Sequence, residues 1–330
     1  MAVCASSEPV ERYRATPSAA FRPGEYCGDL SPMKIAVTAA SGRLGHATLR
    51  WLSGGIGASD VVAVARQPER VLIPGIEARA GDYHSLDSMR VALRGIDTAI
   101  MISAPVAGGS ERITLHRNAI EAARQAGVRR VLFTSIIGNG GEMATLFAAT
   151  QRVNRQTEAD LQASGLQWVI GRNALYLELD LLQMRKARET GVYRNPAGTG
   201  RCPYLTIDEI AFAYARLAAD KSQTGQIYNI TGEALTQAEL LREAGVVFGL
   251  DVRYETQSDD ASIARFRELM PERGEAVAHM LTGCFQSIRA GAFDVPSHFQ
   301  AAAGRPARSV RELMQDVAVA EAALSPGTTP

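Results

Sequence analysis

The run Val61-Val62-Ala63-Val64-Ala65 carries no polar side chain. Successive residues of a strand point to opposite faces, so such a run must be covered on both sides. That is the condition of a parallel sheet between two helix layers. Short, mainly apolar runs recur at 34–38, 98–103, 131–135 and 166–171. Between them lie segments with helical spacing. One runs from about Gly42 to Ser53, and another from Ser85 to Leu93 with Leu86, Met89 and Leu93 on one face. A third runs from Glu111 to Ala126, with Ile113, Ile120 and Ala123 on one face and Gly127 as its stop. A long polar helix from about Thr145 to Ala163 ends at Ser164-Gly165. The alternation predicts an α/β chain with a Rossmann-type, doubly wound parallel sheet.

After Arg172 the rhythm loosens. Thr206-x-x-Glu209, Thr236-x-x-Glu239 and Ser309-x-x-Glu312 are capping boxes that open helices, and 226–230 and 252–255 read as short strands. Residues 1–32 mix Ser, Pro, Gly, Arg and Glu with little periodicity. The expected organisation is a flexible extension over 1–32 and a nucleotide-binding domain over 33–172. A smaller, interleaved α/β substrate domain with a C-terminal tail follows over 173–330, some of its segments returning to the main sheet.

Composition narrows the function. The 330 residues are 46% hydrophobic and 21% charged, with 35 basic against 35 acidic side chains. Zero net charge argues against nucleic acid or an anionic membrane surface as the main partner. No apolar run approaches the roughly 20 residues of a membrane span. Cys4, Cys27, Cys202 and Cys284 form no C-x-x-C pair, and His46, His84, His116, His279 and His298 are scattered. Neither a disulfide framework nor a metal site is expected, which fits a cytoplasmic protein.

The turn Thr38-Ala39-Ala40-Ser41-Gly42-Arg43-Leu44-Gly45 follows the first strand and opens the first helix. Glycines three apart at that junction let a pyrophosphate approach the backbone. The helix N-terminus offers free N–H groups and partial positive charge. Ala39 stands where the usual pattern has its first glycine. The second strand ends in Ala65-Arg66 with no acid, which favours a 2′-phosphate and hence NADPH over NADH. Gly81-Asp82-Tyr83 and Ser103-Ala104-Pro105 close the next two strands, where Asp82 can accept from the adenine amino group. By the strand-end rule Thr134, Ser135, Arg172 and Asn173 face the nicotinamide. The competing readings are sheet-edge turn polarity for 81–83 and 103–105, local backbone bonding for Ser135 and Asn173, and a solvated surface arginine for Arg66.

T-A-A-S-G-R-L-G, the strand-end Arg66, G-D-Y at 81–83, H-R-N at 116–118, F-T-S at 133–135 and G-R-N-A-L-Y at 171–176 occur in this order. The ordered set resembles the NmrA-like atypical short-chain dehydrogenases. The likeness is greatest to type 2 NADPH:quinone oxidoreductases and the related triphenylmethane- and azo-dye reductases, and it runs from about Met33 to Met314. It implies NADPH, no bound flavin, no metal, and a state of monomer or homodimer.

Two departures matter. No tyrosine is followed four residues later by lysine. The helix stretch 150–158, where the benzylic-ether reductases of this group carry a lysine, has none. The usual general acid is therefore missing; His116 could replace it, but its mid-helix position suits a structural role better. Two functions fit: a flavin-free reductase passing hydride to a flat conjugated acceptor, and a non-catalytic sensor of the dinucleotide. An isomerase or ether reductase is disfavoured by the missing lysine. For the reductase, Asn173 and Tyr176 are candidate acceptor contacts, with Phe285 and Phe293 as further walls unless they serve in the core.

Overall fold

The computed structural model describes residues 33–105 and 111–324. The expected extension over 1–32 and the last six residues lie outside the described residues. Along the chain come β1 (Ile35–Val37), α1 (Arg43–Ile56), β2 (Val61–Ala65), β3 (Glu77–Ala80), α2 (Leu86–Ala92), β4 (Thr98–Met101), α3 (Glu111–Gln125), β5 (Arg130–Ile136), α4 (Ala148–Gln162) and β6 (Gln167–Asn173). Then follow β7 (Leu175–Tyr176), α5 (Leu177–Lys186), β8 (Val192–Asn195), β9 (Arg201–Leu205), α6 (Ile207–Ala219) and β10 (Gln226–Ile230). The chain closes with β11 (Ala234–Thr236), α7 (Gln237–Phe248), β12 (Arg253–Thr256), α8 (Asp259–Leu269), α9 (Gly274–Arg289), α10 (Phe299–Ala303) and α11 (Val310–Leu324).

Seven strands form one sheet in the order β10-β6-β5-β4-β1-β2-β3. Every neighbouring pair is parallel. The sheet winds outward from β1 through β2 to β3 and then reverses to β4. That reversal opens a crevice at the C-terminal ends of β1 and β4, where an open α/β sheet binds its ligand. Alternation along the strands explains the apolar runs. Ile35, Val37, Ala63 and Ile100 pack on the layer that contains α1 and α6. Ala36, Val62, Ala99 and Phe133 pack on the layer of α2, α3 and α4.

The segment after Arg172 returns to this sheet, as α6 packs on α1 and β10 pairs with β6. The Trp51 and Phe212 rings meet edge-on at 5.0 Å across the two helices. Tyr214 explains one glycine. Its hydroxyl donates to the Gly171 carbonyl at 2.9 Å, and a Cβ on Gly171 would lie 2.1 Å from that hydroxyl. The remaining strands form a three-stranded sheet, β11-β9-β7, and the pair β12-β8. Thr206 and Thr236 cap α6 and α7 as their sequences require. The sequence pattern discloses β10 and β12 but not β7, β8, β9 and β11.

Asp180 on α5 is buried, with the Tyr193 hydroxyl donating to its Oδ1 at 3.1 Å. Burial pushes its pKa up from 3.8 to about 6, against the hydrogen bonds from Tyr204 and Tyr193. The folded state therefore holds this proton more tightly than the unfolded chain does. Stability falls as pH rises from about 4 to 6, by roughly 3 kcal/mol from this group, and the loss is complete above pH 6. Chemical denaturation of Asp180→Asn should lack that part of the decline. An unchanged pH profile would show that the carboxyl does not carry it.

Candidate functional site

The turn after β1 is tight despite Ala39. Ala39 takes φ +48°, and among the described residues it is the single non-glycine with positive φ. The Gly42 N–H donates to the Ala39 carbonyl at 2.9 Å, and the Ala40 N–H to the Val64 carbonyl at 3.1 Å. Gly42 is the N-cap of α1, with no side-chain cap and no acid in the first turn. The helix thus presents unneutralised N–H groups to an anion. A Cβ on Gly45 would lie 2.7 Å from the Ala39 carbonyl oxygen and 2.8 Å from Ala40 Cα. The cradle therefore exists because that position is glycine. Ser41 and Arg43 are exposed beside it, Gly42 is half-buried, and Leu44 and Gly45 are buried.

Arg66 stands exposed just past β2, and its charge acts on Asp82 and His84. His84 Nδ1 is 2.9 Å from Asp82 Oδ1. Burial works against the Asp82 carboxylate, yet the hydrogen bonds from His84 and the nearby cations hold its pKa below the ordinary value. The Asp82 hydrogen bond in turn raises His84. Arg66 and His84 thus surround Asp82 at the ends of β2 and β3. Behind them, the Thr38 and Tyr83 hydroxyls bond to each other. Tyr83 donates to the Ile102 carbonyl at 2.8 Å, which leaves its oxygen to accept from Thr38, and Thr38 Oγ1 accepts from the Ile102 N–H at 3.1 Å. These two side chains tie the ends of β1, β3 and β4 together under the crevice.

Further along the sheet edge, the polar side chains are occupied by one another. Ser135 is buried and donates to Glu158 Oε1 at 2.6 Å. Glu158, on α4, also accepts from Arg155 at 2.5 Å and from Arg172 at 2.6 and 3.1 Å. Asn173 is buried and accepts from Tyr214 at 2.9 Å. Tyr176 is half-buried. Burial raises its pKa, opposed by a hydrogen bond with Asn173 and by the charge of Arg43. The charge of Arg43, in the turn after β1, is therefore felt at Tyr176. His116 Nε2 accepts from the Ala104 N–H at 2.8 Å, and Nδ1 meets Thr157 Oγ1 at 2.7 Å. Burial drives the His116 pKa down to about 3. A neutral ring whose Nε2 is an acceptor carries its proton on Nδ1, so both nitrogens are committed and His116 is a structural clamp on the β4 end. Asn118, from the same motif, donates to the Tyr83 carbonyl at 2.9 Å.

A cleft of about 1370 Å³ opens between the α3–α4 side and α9. Ile113, Leu146, Val277 and Met280 supply apolar wall, and Arg112 and Arg152 reach it from α3 and α4. Among the described residues no group of His, Cys, Asp and Glu could hold a metal. No helix of the described residues is long and apolar enough to cross a membrane.

Residues 39–178 match a family model described as NAD(P)H-binding. Quinone oxidoreductase 2 of Escherichia coli is 30% identical over 284 residues, spanning 84% of this chain and 96% of the relative. The chain belongs to the NmrA-like NAD(P)H-binding reductases. An NmrA-like family domain-containing oxidoreductase of Aspergillus flavus is 30% identical over 67% of this chain and 74% of its own length. The crystal structure of an NADPH-dependent quinone oxidoreductase from E. coli, complexed with NADPH, superposes with a TM-score of 0.77 at 27% identity, covering 86% of this chain and 99% of that one. As an NmrA-like reductase, the protein is an NAD(P)H-dependent oxidoreductase, and its glycine cradle, acid-free helix end and strand-end arginine fit that cofactor.

Two sequence expectations are placed elsewhere by the fold. Phe293 is fully buried, its ring edge-on to Phe147 at 5.7 Å. Phe285 is buried and stacks on Phe266 at 6.4 Å. Both serve the core rather than a cleft wall. The Ser135 hydroxyl donates its proton to Glu158. Conversely, the sequence reading misses Arg112, His84 and the Glu158 cluster. An Arg155-x-x-Glu158 pair on one helix face beside a strand-end Arg172 is the signal that could have revealed the last.

Proposed function

We propose that this reductase uses NADPH to reduce flat, conjugated acceptors, quinones or electron-poor dyes, by direct hydride transfer without a bound flavin. The observation that carries this reading is that three candidate proton donors beside the crevice are held by other groups of the protein. Ser135 is held by Glu158, His116 by Ala104 and Thr157, and Tyr214 by Gly171 and Asn173. A simple ketone needs its alkoxide protonated or held in an oxyanion hole. A quinone yields a stabilised aromatic oxyanion that solvent can protonate. Bound NADPH supplies the hydride. The α1 N-terminus receives the pyrophosphate, Arg66 with His84 the 2′-phosphate, and Asn173 and Tyr176 flank the nicotinamide side of the crevice. In this reading residues 33–172, together with α6 and β10, hold the cofactor, and the rest of the C-terminal half covers the acceptor.

An acceptor panel followed by NADPH absorbance tests the reading. Quinones and electron-poor azo dyes should be reduced with no added flavin, and aliphatic ketones should not. Efficient ketone turnover beside inert quinones and dyes would overturn it. Arg66→Asp should weaken NADPH binding roughly 10- to 150-fold, the worth of a charge-assisted contact, while NADH binding changes far less. Equal wild-type affinity for the two dinucleotides would remove the role given to Arg66.

A further inference from the structure

Glu142, Glu158 and Glu178 follow the strand ends on the nicotinamide side of the crevice, and the first two are fully occupied. Glu142 accepts from the Gln151 amide at 3.0 Å and from the Gly140 N–H at 2.8 Å. Glu158 accepts from Ser135, Arg155 and Arg172. Glu178, in the first turn of α5, is different. Its Oε1 accepts from the Ile207 N–H at 2.8 Å, while its Oε2 is buried and has no hydrogen-bond partner among the described residues. A buried acceptor left unpaired costs free energy, and a ligand that donates to it offsets the cost.

The fold holds this carboxyl in place. Ile207 is the first residue of α6, so the Oε1 bond clamps the start of α5 to the start of α6 and fixes the direction of Oε2. α6 packs along α1, whose N-terminus is the glycine cradle. The charge of Arg43, in that turn, is felt at Glu178 as it is at Tyr176. Along the chain Glu178 comes just after Asn173, the last residue of β6, and Tyr176. The carboxyl thus ties together α1, α5 and α6 at the C-terminal edge of the sheet. Burial raises its pKa, against the backbone hydrogen bonds and the Arg43 charge, as suits a carboxyl with one unpartnered oxygen.

We propose that Glu178 holds the nicotinamide ribose of NADPH, its Oε2 accepting a hydrogen bond from a ribose hydroxyl. The inference rests on the reading that puts the nicotinamide beside Asn173 and Tyr176. A carboxylate is the group that recognises the adenosine ribose in NAD-specific Rossmann sites, and the same charge-assisted bond serves a ribose at the other end of the dinucleotide. The chain then grips its cofactor with opposite charges, Arg66 at the 2′-phosphate and Glu178 at the nicotinamide ribose. Because Oε1 is already clamped to α6, little ordering remains to be done when the ribose arrives.

Calorimetric titration of the full-length protein with NADPH and with adenosine 2′,5′-diphosphate tests the contact. The second ligand keeps the 2′-phosphate half and has no nicotinamide ribose. Glu178→Gln retains an oxygen for the Ile207 N–H, and it should weaken NADPH roughly 10-fold or more while adenosine 2′,5′-diphosphate keeps its wild-type affinity. Should that variant fail to fold in a thermal melt, Glu178→Asp, which draws the carboxylate back by one methylene, should lower NADPH affinity severalfold with the same selectivity. Equal weakening of both ligands overturns the proposal, because Glu178 would then only brace α5 against α6. Unchanged affinity for NADPH overturns it as well. Both results leave the reductase reading intact. If Glu178→Gln loses affinity for NADPH alone while the wild-type protein reduces neither quinones nor dyes, the ribose contact stands and the reductase reading fails.

Discussion

Gly45→Val is expected to abolish measurable NADPH binding, with at least a 100-fold loss of affinity. The Cβ of any side chain here would lie 2.7 Å from the Ala39 carbonyl oxygen and 2.8 Å from Ala40 Cα, and both are backbone atoms. Neither can turn aside as a flexible side chain would. Ala39 is already in the left-handed region, and Ala40 is fixed to Val64 by a backbone hydrogen bond. The start of α1 must therefore move away from β1, which takes its free N–H groups out of reach of the pyrophosphate. β-branching adds further bulk at the closest approach of helix and strand. Fluorescence titration with NADPH, alongside a thermal melt to confirm folding, measures the effect. A folded Gly45→Val protein with wild-type affinity would show that this turn is not the cofactor site.

Glu158→Ala should be the most damaging single change to stability at the sheet edge. The carboxylate is 4% exposed and receives hydrogen bonds from Ser135, Arg155 and Arg172. Removing it leaves Arg172 without its carboxylate and Arg155 with only Glu142 at 3.9 Å, and strands the Ser135 hydroxyl. Breaking a buried ionic cluster from one side costs about 3–5 kcal/mol. For a chain of this size that is a fall in Tm on the order of 10 °C. Glu158→Gln keeps the shape and some hydrogen bonds, so it should lose less. A thermal melt of both variants checks the order. A Tm within a degree or two of wild type for Glu158→Ala would mean the cluster is as well hydrated as a surface pair.

The sheet is legible in the sequence because its evidence is local. A wholly apolar pentapeptide at 61–65, a glycine-bearing turn at 38–45 and helical spacing between strands each follow from the geometry of one element. The chemistry at the strand ends is less legible because it depends on pairs distant in sequence. Ser135 looks like a polar strand-end residue until α4 brings Glu158 against it, 23 positions later. The helix at 145–163 is long and polar in sequence, yet Gln151, Asn154, Thr157 and Glu158 on α4 are all buried. Its inward face is a hydrogen-bonded polar seam rather than an apolar stripe, and hydropathy alone cannot distinguish the two. Phe285 and Phe293 mislead for the opposite reason. An aromatic ring in the looser C-terminal half suits a cleft or a core equally, until α9 is packed against the loop that carries Phe147.

The resemblance motifs acquire separate physical roles in the fold. Gly171 makes room for Tyr214, Arg172 pairs with Glu158, and Asn173 links Tyr214 to Tyr176. His116 and Asn118 hold the loops after β4 and β3. Most of the ordered set therefore shapes the crevice, and the residues left for chemistry are few.

Direct hydride transfer is tested most directly by stoichiometry in flavin-free protein. Protein shown to lack absorbance near 450 nm is mixed with NADPH and a naphthoquinone under anaerobic conditions. NADPH loss and hydroquinone gain are then followed together. The account predicts one hydroquinone per NADPH consumed, at a rate that added FMN or FAD does not change. Protein that stays inert until flavin is supplied would contradict it.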